Sequence, residues 1–132
     1  MTSSEAVQEI LTSDPHLLDI VPADRIRVPG PWQGMTPPYI IHVPVAVAPV
    51  RTHGGLDTGL RWTYQISVYA SNVSQGETIA LAVIAALEGV HSVWSPPESV
   101  HITWTGGHWY GGRAEEYEIE YFLLEFEVTQ MS

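Results

Sequence analysis

The chain has 132 residues, 45% of them hydrophobic, and no cysteine. This length predicts one domain over residues 1–132 with a sizeable core, and the absence of cysteine excludes disulfides and thiolate metal sites. Fifteen acidic residues against five arginines and no lysine give a formal net charge of −10, which disfavours nucleic-acid binding. The start of the chain does not resemble a signal peptide, and the longest apolar run is too short for a membrane span.

The first 28 residues predict two short helices and a short strand. Thr2 and Glu5 have the spacing of a capping box, in which two side chains satisfy free N–H groups at a helix start. Asp14 before Pro15 predicts a second helix, because aspartate caps N-termini and proline fits the first helical position. Charged and apolar residues alternate over residues 25–28, which predicts a short strand.

A proline-rich loop follows over residues 29–38, and it contains Trp32 and Met35. Large side chains in such a loop either cover the edge of the core or act as interface anchors. We treat both as candidate interface residues.

Two long strands are predicted next, over residues 39–47 and 60–70, since large apolar residues recur at every second position. In the first strand His42 is predicted on the outer face, and Pro44 predicts an edge position or a bulge because it lacks an N–H. The long connection between the strands has three polar candidates for an interface, namely Arg51, His53 and Asp57.

A helix is predicted immediately after the second long strand. Ser74 and Glu77 fit a capping box, and Ile79, Val83 and Leu87 form one apolar stripe. Gly89 is predicted to end the helix in a left-handed conformation.

The C-terminal part predicts a proline-containing connection over residues 91–99, a strand over 100–105 and a flexible glycine-rich tip over 106–112. The last strand, over residues 116–128, changes the phase of its apolar residues near its middle. That change predicts either a bulge or a strand buried on both sides. The predicted fold class is therefore α+β, with a mostly antiparallel sheet of four to five strands and helices packed on one face.

The sequence contains none of the common catalytic motifs, and without lysine or cysteine it lacks amine and thiol nucleophiles. We therefore predict no enzymatic activity and no cofactor. His101, His108, Glu115 and Glu116 could approach one another across a hairpin and bind a metal, but scattered histidines are usually not ligands, and we predict no metal site. Trp104, Trp109 and Tyr110 are candidates for subunit contacts, or alternatively for stacking on a sugar ring.

The order of elements resembles a known family, the small tail-completion or tail-terminator proteins of long-tailed bacteriophages. The resemblance covers nearly the whole chain and rests on six segments: S-D-P-H-L-L at 13–18, R-I-R-V at 25–28, P-P-Y-I-I-H-V at 37–43, W-T-Y-Q-I-S-V-Y-A at 62–70, I-A-A-L-E-G at 84–89 and F-L-L-E-F-E-V at 122–128.

This resemblance implies a structural virion protein at the head–tail junction, assembled in the cytoplasm of the host bacterium. It implies a homo-oligomeric ring of six copies that caps the tail tube, stops its polymerisation and joins it to the head connector. Genomic DNA would pass through the lumen unbound, which the acidity suits. Candidate lumen-facing acids are Glu115, Glu116, Glu118 and Glu120. The alternative role within the same class is a head-side connector adaptor or stopper ring.

Overall fold

A computed structural model of the chain describes residues 2–30, 36–50, 59–93, 99–110 and 120–131. The helices are α1 (Ser3–Thr12), α2 (Pro15–Leu18) and α3 (Val73–Leu87), and a 3-10 turn spans Ala23–Arg25. The strands are β1 (Ile26–Arg27), β2 (Tyr39–Val50), β3 (Gly59–Ala70), β4 (His91–Val93), β5 (Ser99–Tyr110) and β6 (Glu120–Met131).

The strands form one sheet in the order β1-β2-β3-β6-β5-β4. All neighbouring pairs are antiparallel except β1 and β2, which run parallel. The described residues thus give four strands of 12 residues flanked by two short ones, and the predicted mostly antiparallel α+β fold is confirmed. The short strand β4 lies within the predicted connection.

The helices cover one face of this sheet. Helix α3 contacts β3, β5 and β6, and α1 contacts β1, β2 and α3. The predicted apolar stripe of α3 is confirmed, because Ile79, Val83 and Leu87 are fully buried. The sheet side of the core consists of residues at even positions, which are Ile40, Tyr64, Ile66, Val68, Val100, Ile102, Leu124, Phe126 and Val128.

Both predicted helix starts in the N-terminal segment are confirmed. Thr2 and Glu5 form a complete capping box at α1. The Asp14 side chain accepts the N–H of Leu17 at 3.1 Å, with Pro15 at the first helical position of α2. These caps fix where the two helices begin and bring Val7, Leu11 and Leu17 into the core.

The predicted capping box at α3 is wrong, because the N-cap lies two residues before Ser74 and the helix begins at Val73. Asn72 is the N-cap, and its Oδ1 accepts the N–H of Gln75 at 2.8 Å. The Gln75 side chain reaches back and accepts the N–H of Ser71 at 2.8 Å. The predicted helix end is confirmed, since Gly89 has φ +75° directly after the C-cap residue Glu88.

The Asn72 cap gives a direct test with a matched control. Asn72→Ala should lower the free energy of unfolding by about 1 kcal/mol, because one helix N–H loses its acceptor. Ser74→Ala should change it by less than about 0.5 kcal/mol, since position 74 is an ordinary exposed helix position. Urea unfolding of both variants measures the difference. Equal losses would mean that Asn72 is not the cap.

The predicted irregularity at Pro44 is confirmed as a bulge. The pairing of β2 with β3 shifts register between Pro44 and Ala46, so Val45 has no partner in β3. Because the bulge reverses which residues face the helices, Val47 beyond it pairs with Trp62 on the helix side of the sheet.

The predicted glycine-rich tip is wrong within the described residues. Strand β5 continues through Tyr110, and Gly106–Tyr110 pair with β6 after a register shift at Trp104/Gly106. Gly107 permits this close pairing, since a Cβ at this position would lie 2.5 Å from the carbonyl oxygen of Leu123. Residues 111 and 112 of the predicted tip lie outside the described residues.

The phase change of apolar residues in the last strand was predicted to reflect either a bulge or burial on both sides. A bulge in β6 itself is wrong for the described residues 120–131. Residues 120–131 pair with β3 one by one, without a register shift. The bulge lies in the neighbouring strand β5 instead. Leu124, Phe126 and Val128 face the helices, whereas Leu123 is half-buried on the opposite face, so both faces of the strand are partly covered. Residues 116–119 lie outside the described residues.

Candidate interface surfaces

Most of the predicted interface residues lie outside the described residues. This holds for Trp32, Met35, Arg51, His53 and Asp57, and for the acids Glu115, Glu116 and Glu118. Tyr110 and Glu120 belong to strands β5 and β6, but the structure describes only their backbones. The site residues whose surroundings the structure gives are therefore Trp104 and Trp109.

These two tryptophans do not form a common platform. Trp109 packs on Phe122, with ring centroids 4.4 Å apart, and it lies against α3 near Gly76. Trp104 is 42% exposed, and its indole N–H donates to the carbonyl of Gly106 at 2.9 Å. Their partners in β6, Phe122 and Phe126, are four residues apart, which corresponds to about 13 Å along the strand. Trp109 thus packs between Phe122 and α3, and Trp104 remains available for a contact.

A shared metal site is also not assembled. His101 pairs with Thr129 and His108 pairs with Leu123, so the two histidines are about 20 Å apart along the sheet. Among the described residues no three side chains of the metal-ligating types come together. The two glutamates of the hypothetical site lie outside those residues.

A histidine that was predicted on the outer face is instead the centre of a buried polar network. His42 and Tyr64 are both fully buried. His42 Nδ1 lies 2.5 Å from the Tyr64 hydroxyl, and His42 Nε2 lies 2.6 Å from Gln8 Oε1. The Gln8 side-chain N–H donates to the carbonyl of Ile26 at 2.7 Å. The network therefore connects α1, β1, β2 and β3.

The hydrogen-bond partners fix the tautomer of His42. Gln8 Oε1 can only accept, so His42 Nε2 carries the proton and donates it. His42 Nδ1 then accepts from the Tyr64 hydroxyl. Burial lowers the pKa of His42 to about 4 and raises the pKa of Tyr64. His42 is thus held neutral with both ring nitrogens occupied, and neither nitrogen is available to bind a metal or to accept a substrate proton.

This network predicts a specific cost for removing one hydroxyl. Tyr64→Phe should lower the free energy of unfolding by about 1–3 kcal/mol, because His42 Nδ1 keeps its burial but loses its donor. The matched control is Tyr39→Phe, since Tyr39 is only half-buried on the other face, and it should cost less than about 1 kcal/mol. Thermal unfolding measures both. An equal effect of the two substitutions would contradict the assigned hydrogen bond.

The open face of the sheet, meaning the side opposite the described helices, carries a row of stacked tyrosines. The rings of Tyr39 and Tyr69 are 4.5 Å apart, and those of Tyr69 and Tyr121 are 5.3 Å apart. Backbone register places Tyr110 next to Tyr121. Partial burial raises the pKa of Tyr39 and of Tyr69. This row was not predicted, because it becomes visible only once the register of the strands is known.

A second exposed surface lies at the far end of the β2–β3 hairpin. We call residues 45–50 and 59–62 the hairpin arm. Val45, Val47 and Leu60 are 48%, 52% and 43% exposed. Helix α3 has 15 residues and is about 22 Å long, whereas a 12-residue strand spans about 40 Å. The helix is therefore too short to cover the strands along their whole length, and Val47 and Leu60 on the helix side are exposed at the far end.

The comparison with protein families identifies the chain. Residues 5–110 match the model of the family described as tail completion protein gp17. The chain belongs to this family. It is a structural tail protein, and the resemblance noted in the sequence is confirmed.

A solved structure supports the fold assignment of this tail completion protein. One matching chain is from "Virion of native gene transfer agent (GTA) particle", with 19% sequence identity and a TM-score of 0.78. The match covers 100% of both chains. At this identity the likeness establishes the shared fold. No curated protein matches the chain. Within the described residues, no helix is both long and apolar enough to cross a membrane.

Proposed function

We propose that six copies of this protein form a ring that caps the head-proximal end of the tail tube. The ring stops polymerisation of the tube subunit and provides the surface on which the head connector docks. The observation that carries the proposal is membership of the tail completion family, whose model matches residues 5–110. The protein would act at the head–tail junction, after assembly in the host cytoplasm.

Charge and surface chemistry support this role. A net charge of −10 with no lysine suits a channel that DNA traverses without binding. The exposed side chains of the hairpin arm and of Trp104 suit contacts between subunits or with the tube, because exposed apolar clusters on a folded chain mark interaction sites. The buried histidine His42 has both ring nitrogens occupied, which suits a structural rather than a catalytic role for this residue.

The lumen of the ring would be lined by some of the acids Glu115, Glu116, Glu118 and Glu120. Like charge on the wall keeps the DNA backbone from adhering. A cryo-electron microscopy structure of the ring tests this assignment, and all four carboxylates on the outer wall would refute it.

The functional test is deletion of the gene from the particle's genome. A terminator mutant should accumulate filled heads without tails and separate tubes of abnormal, variable length. Supplying the wild-type protein should restore joined particles with tails of uniform length. A connector adaptor, the alternative role, would instead leave tubes of normal length that fail to join. Normal joined particles in the deletion strain would refute both roles.

A further inference from the structure

At one edge of the sheet, the outer side of β5 is partly uncovered. The short strand β4 covers β5 only at Ser99–His101, and within the described part of the chain no strand pairs with the outer side of residues 103–110. Trp104 lies in this stretch and is 42% exposed. It is directed to the helix side of the sheet, because it pairs with the buried Phe126. Since tryptophan is enriched among the side chains that anchor interfaces, this edge offers an anchor.

The opposite edge of the sheet has a cleft of about 330 Å³ between α1 and β1. The walls of the cleft are mainly apolar, and they include Ser4, Gln8, Ile26 and Val28. Like Trp104, the cleft is on the helix side, because α1 packs on that side of β1 and β2. Trp104 is the largest of the exposed apolar side chains that the structure describes, and the cleft has the size and the chemistry to receive its ring.

On the open face, the same two edges carry opposite charges. Arg27 is the one charged residue of β1, and it is directed to the open face because its neighbour in this strand is buried in the core. Glu125 and Glu127 of β6 are directed to the open face as well, since they alternate with core residues. Glu125 pairs with Gly106, which has no side chain to cover it, and its one described side-chain partner is the neutral amide of Gln65 at 3.3 Å. Where the two edges meet, positive charge therefore faces negative charge.

The register of the sheet places both pairs of features at matching heights. Followed across the paired strands, Arg27 is level with Leu123, which is two residues before Glu125. Val28 is the next residue after Arg27, and it is likewise two rows from Trp104 in the same direction. Both offsets correspond to about 7 Å along the strands. A single stagger between neighbouring copies thus aligns both contacts, and such a stagger accompanies strands that tilt around a closed ring.

We propose that the β5 edge of one copy packs against the β1 edge of the next copy. On the helix side Trp104 enters the cleft between α1 and β1, and on the open face Glu125 pairs with Arg27. The two patches differ and lie at opposite edges of one sheet, so the contact is heterologous and generates a ring when the rotation between copies closes. The contact rests on the proposed ring and specifies which surfaces join its subunits.

A charge exchange tests the contact on the open face. Arg27→Glu and Glu125→Arg should each weaken self-association at least about tenfold, because like charges then face each other. The chain with both substitutions should regain association to within about threefold of wild type, which a mere folding defect would not allow. The matched control is Arg61→Glu, which makes the same change at an exposed arginine of the hairpin arm and should leave association unchanged. Light scattering across a concentration series gives the association constants.

A truncation and a mixture test the contact on the helix side. Trp104→Ala should weaken self-association at least about tenfold, whereas Leu81→Ala, which shortens an exposed side chain of α3, should not. Val28→Glu places a charge in the cleft and should weaken association as much as Trp104→Ala. The Trp104→Ala chain keeps its cleft and the Val28→Glu chain keeps its tryptophan, so an equimolar mixture should form dimers and nothing larger.

Three results would overturn the contact: unchanged association of the Trp104 or charge variants, a charge-exchanged chain that associates no better than the single variants, or a loss in the controls as large as in the variants. A wild-type chain that is monomeric up to its solubility limit would also overturn it. None of these results decides the proposed function, which the gene deletion tests separately. Conversely, a deletion strain with normal particles would refute the proposed function even if the contact between copies were demonstrated.

Discussion

Lowering the pH from 7 to 4 is expected to weaken the fold by about 3 kcal/mol through His42 alone. Burial lowers the pKa of this histidine from 6.5 to about 4, and each unit of difference between folded and unfolded states corresponds to about 1.4 kcal/mol. The unfolded chain takes up the proton first, because its histidine keeps the ordinary pKa. Stability from this group is thus complete above pH 6.5 and is lost progressively down to about pH 4.

The physical reason lies in the hydrogen bonds of the ring. Protonated His42 would have two N–H donors, but the Tyr64 hydroxyl already donates to Nδ1. Its hydrogen would have to turn away inside a buried site, where the described residues offer it no second partner. Protonation therefore costs both desolvation of the charge and one hydrogen bond.

Urea unfolding at a series of pH values, followed by tryptophan fluorescence, measures this effect. His42→Asn removes the titrating ring, and it should lower stability at pH 7 while removing about 3 kcal/mol of the loss between pH 6.5 and 4. His16→Gln is the matched control, because it removes an exposed histidine of α2 and should change the stability at pH 7 by less than about 0.5 kcal/mol. A His42→Asn variant with the wild-type pH dependence would show that His42 is not buried and neutral.

Gly107→Ala is expected to lower the free energy of unfolding by about 2–3 kcal/mol. The added Cβ would lie 2.5 Å from the Leu123 carbonyl oxygen and 3.1 Å from Leu124 Cα. These are backbone atoms of β6, and they cannot move away without separating the paired strands β5 and β6. The loss arises from this steric overlap.

Gly89→Ala provides the matched control, since it changes the backbone preference at a left-handed position without any steric overlap. Gly89 has φ +75°, and a Cβ there would meet no atom within 4 Å. Its substitution should cost only about 1–2 kcal/mol, the ordinary penalty of a left-handed alanine. Thermal unfolding of both variants gives the comparison. A Gly107→Ala variant as stable as wild type would contradict the close pairing of β5 and β6.

Local patterns in the sequence predicted the elements whose causes are local. The strand that became β3, the buried stripe of α3 and the caps at Thr2 and Asp14 all depend on residues within one or two turns of each other. The start of α3 was missed because Asn72 and Ser74 are both good caps. The side chain of Gln75, which accepts the N–H of Ser71, favours Asn72.

Features that depend on distant residues could not be read from the sequence. In β2 both Ile40 and Ile41 fit a buried position, so alternation alone does not decide which face His42 shares. The decision depends on Gln8 and Tyr64, 34 and 22 residues away. The tyrosine row likewise depends on the register of three strands.

The exposed arm is a different case. Val47 has the same pattern as the core residues, and it is exposed because the helices do not extend over it. The different surroundings of Trp104 and Trp109 also become clear only in the structure. Trp109 packs on Phe122, whereas Trp104 is exposed.

The central claim, that this protein closes a tail tube as a ring, is tested most directly with purified tail-tube subunit. The tube subunit would be polymerised with and without this protein, followed by light scattering and negative-stain electron microscopy. The ring predicts annular particles with the mass of six protomers, attached to one end of each tube, and an arrest of tube growth. Tubes that continue to grow with no density added at either end would contradict it.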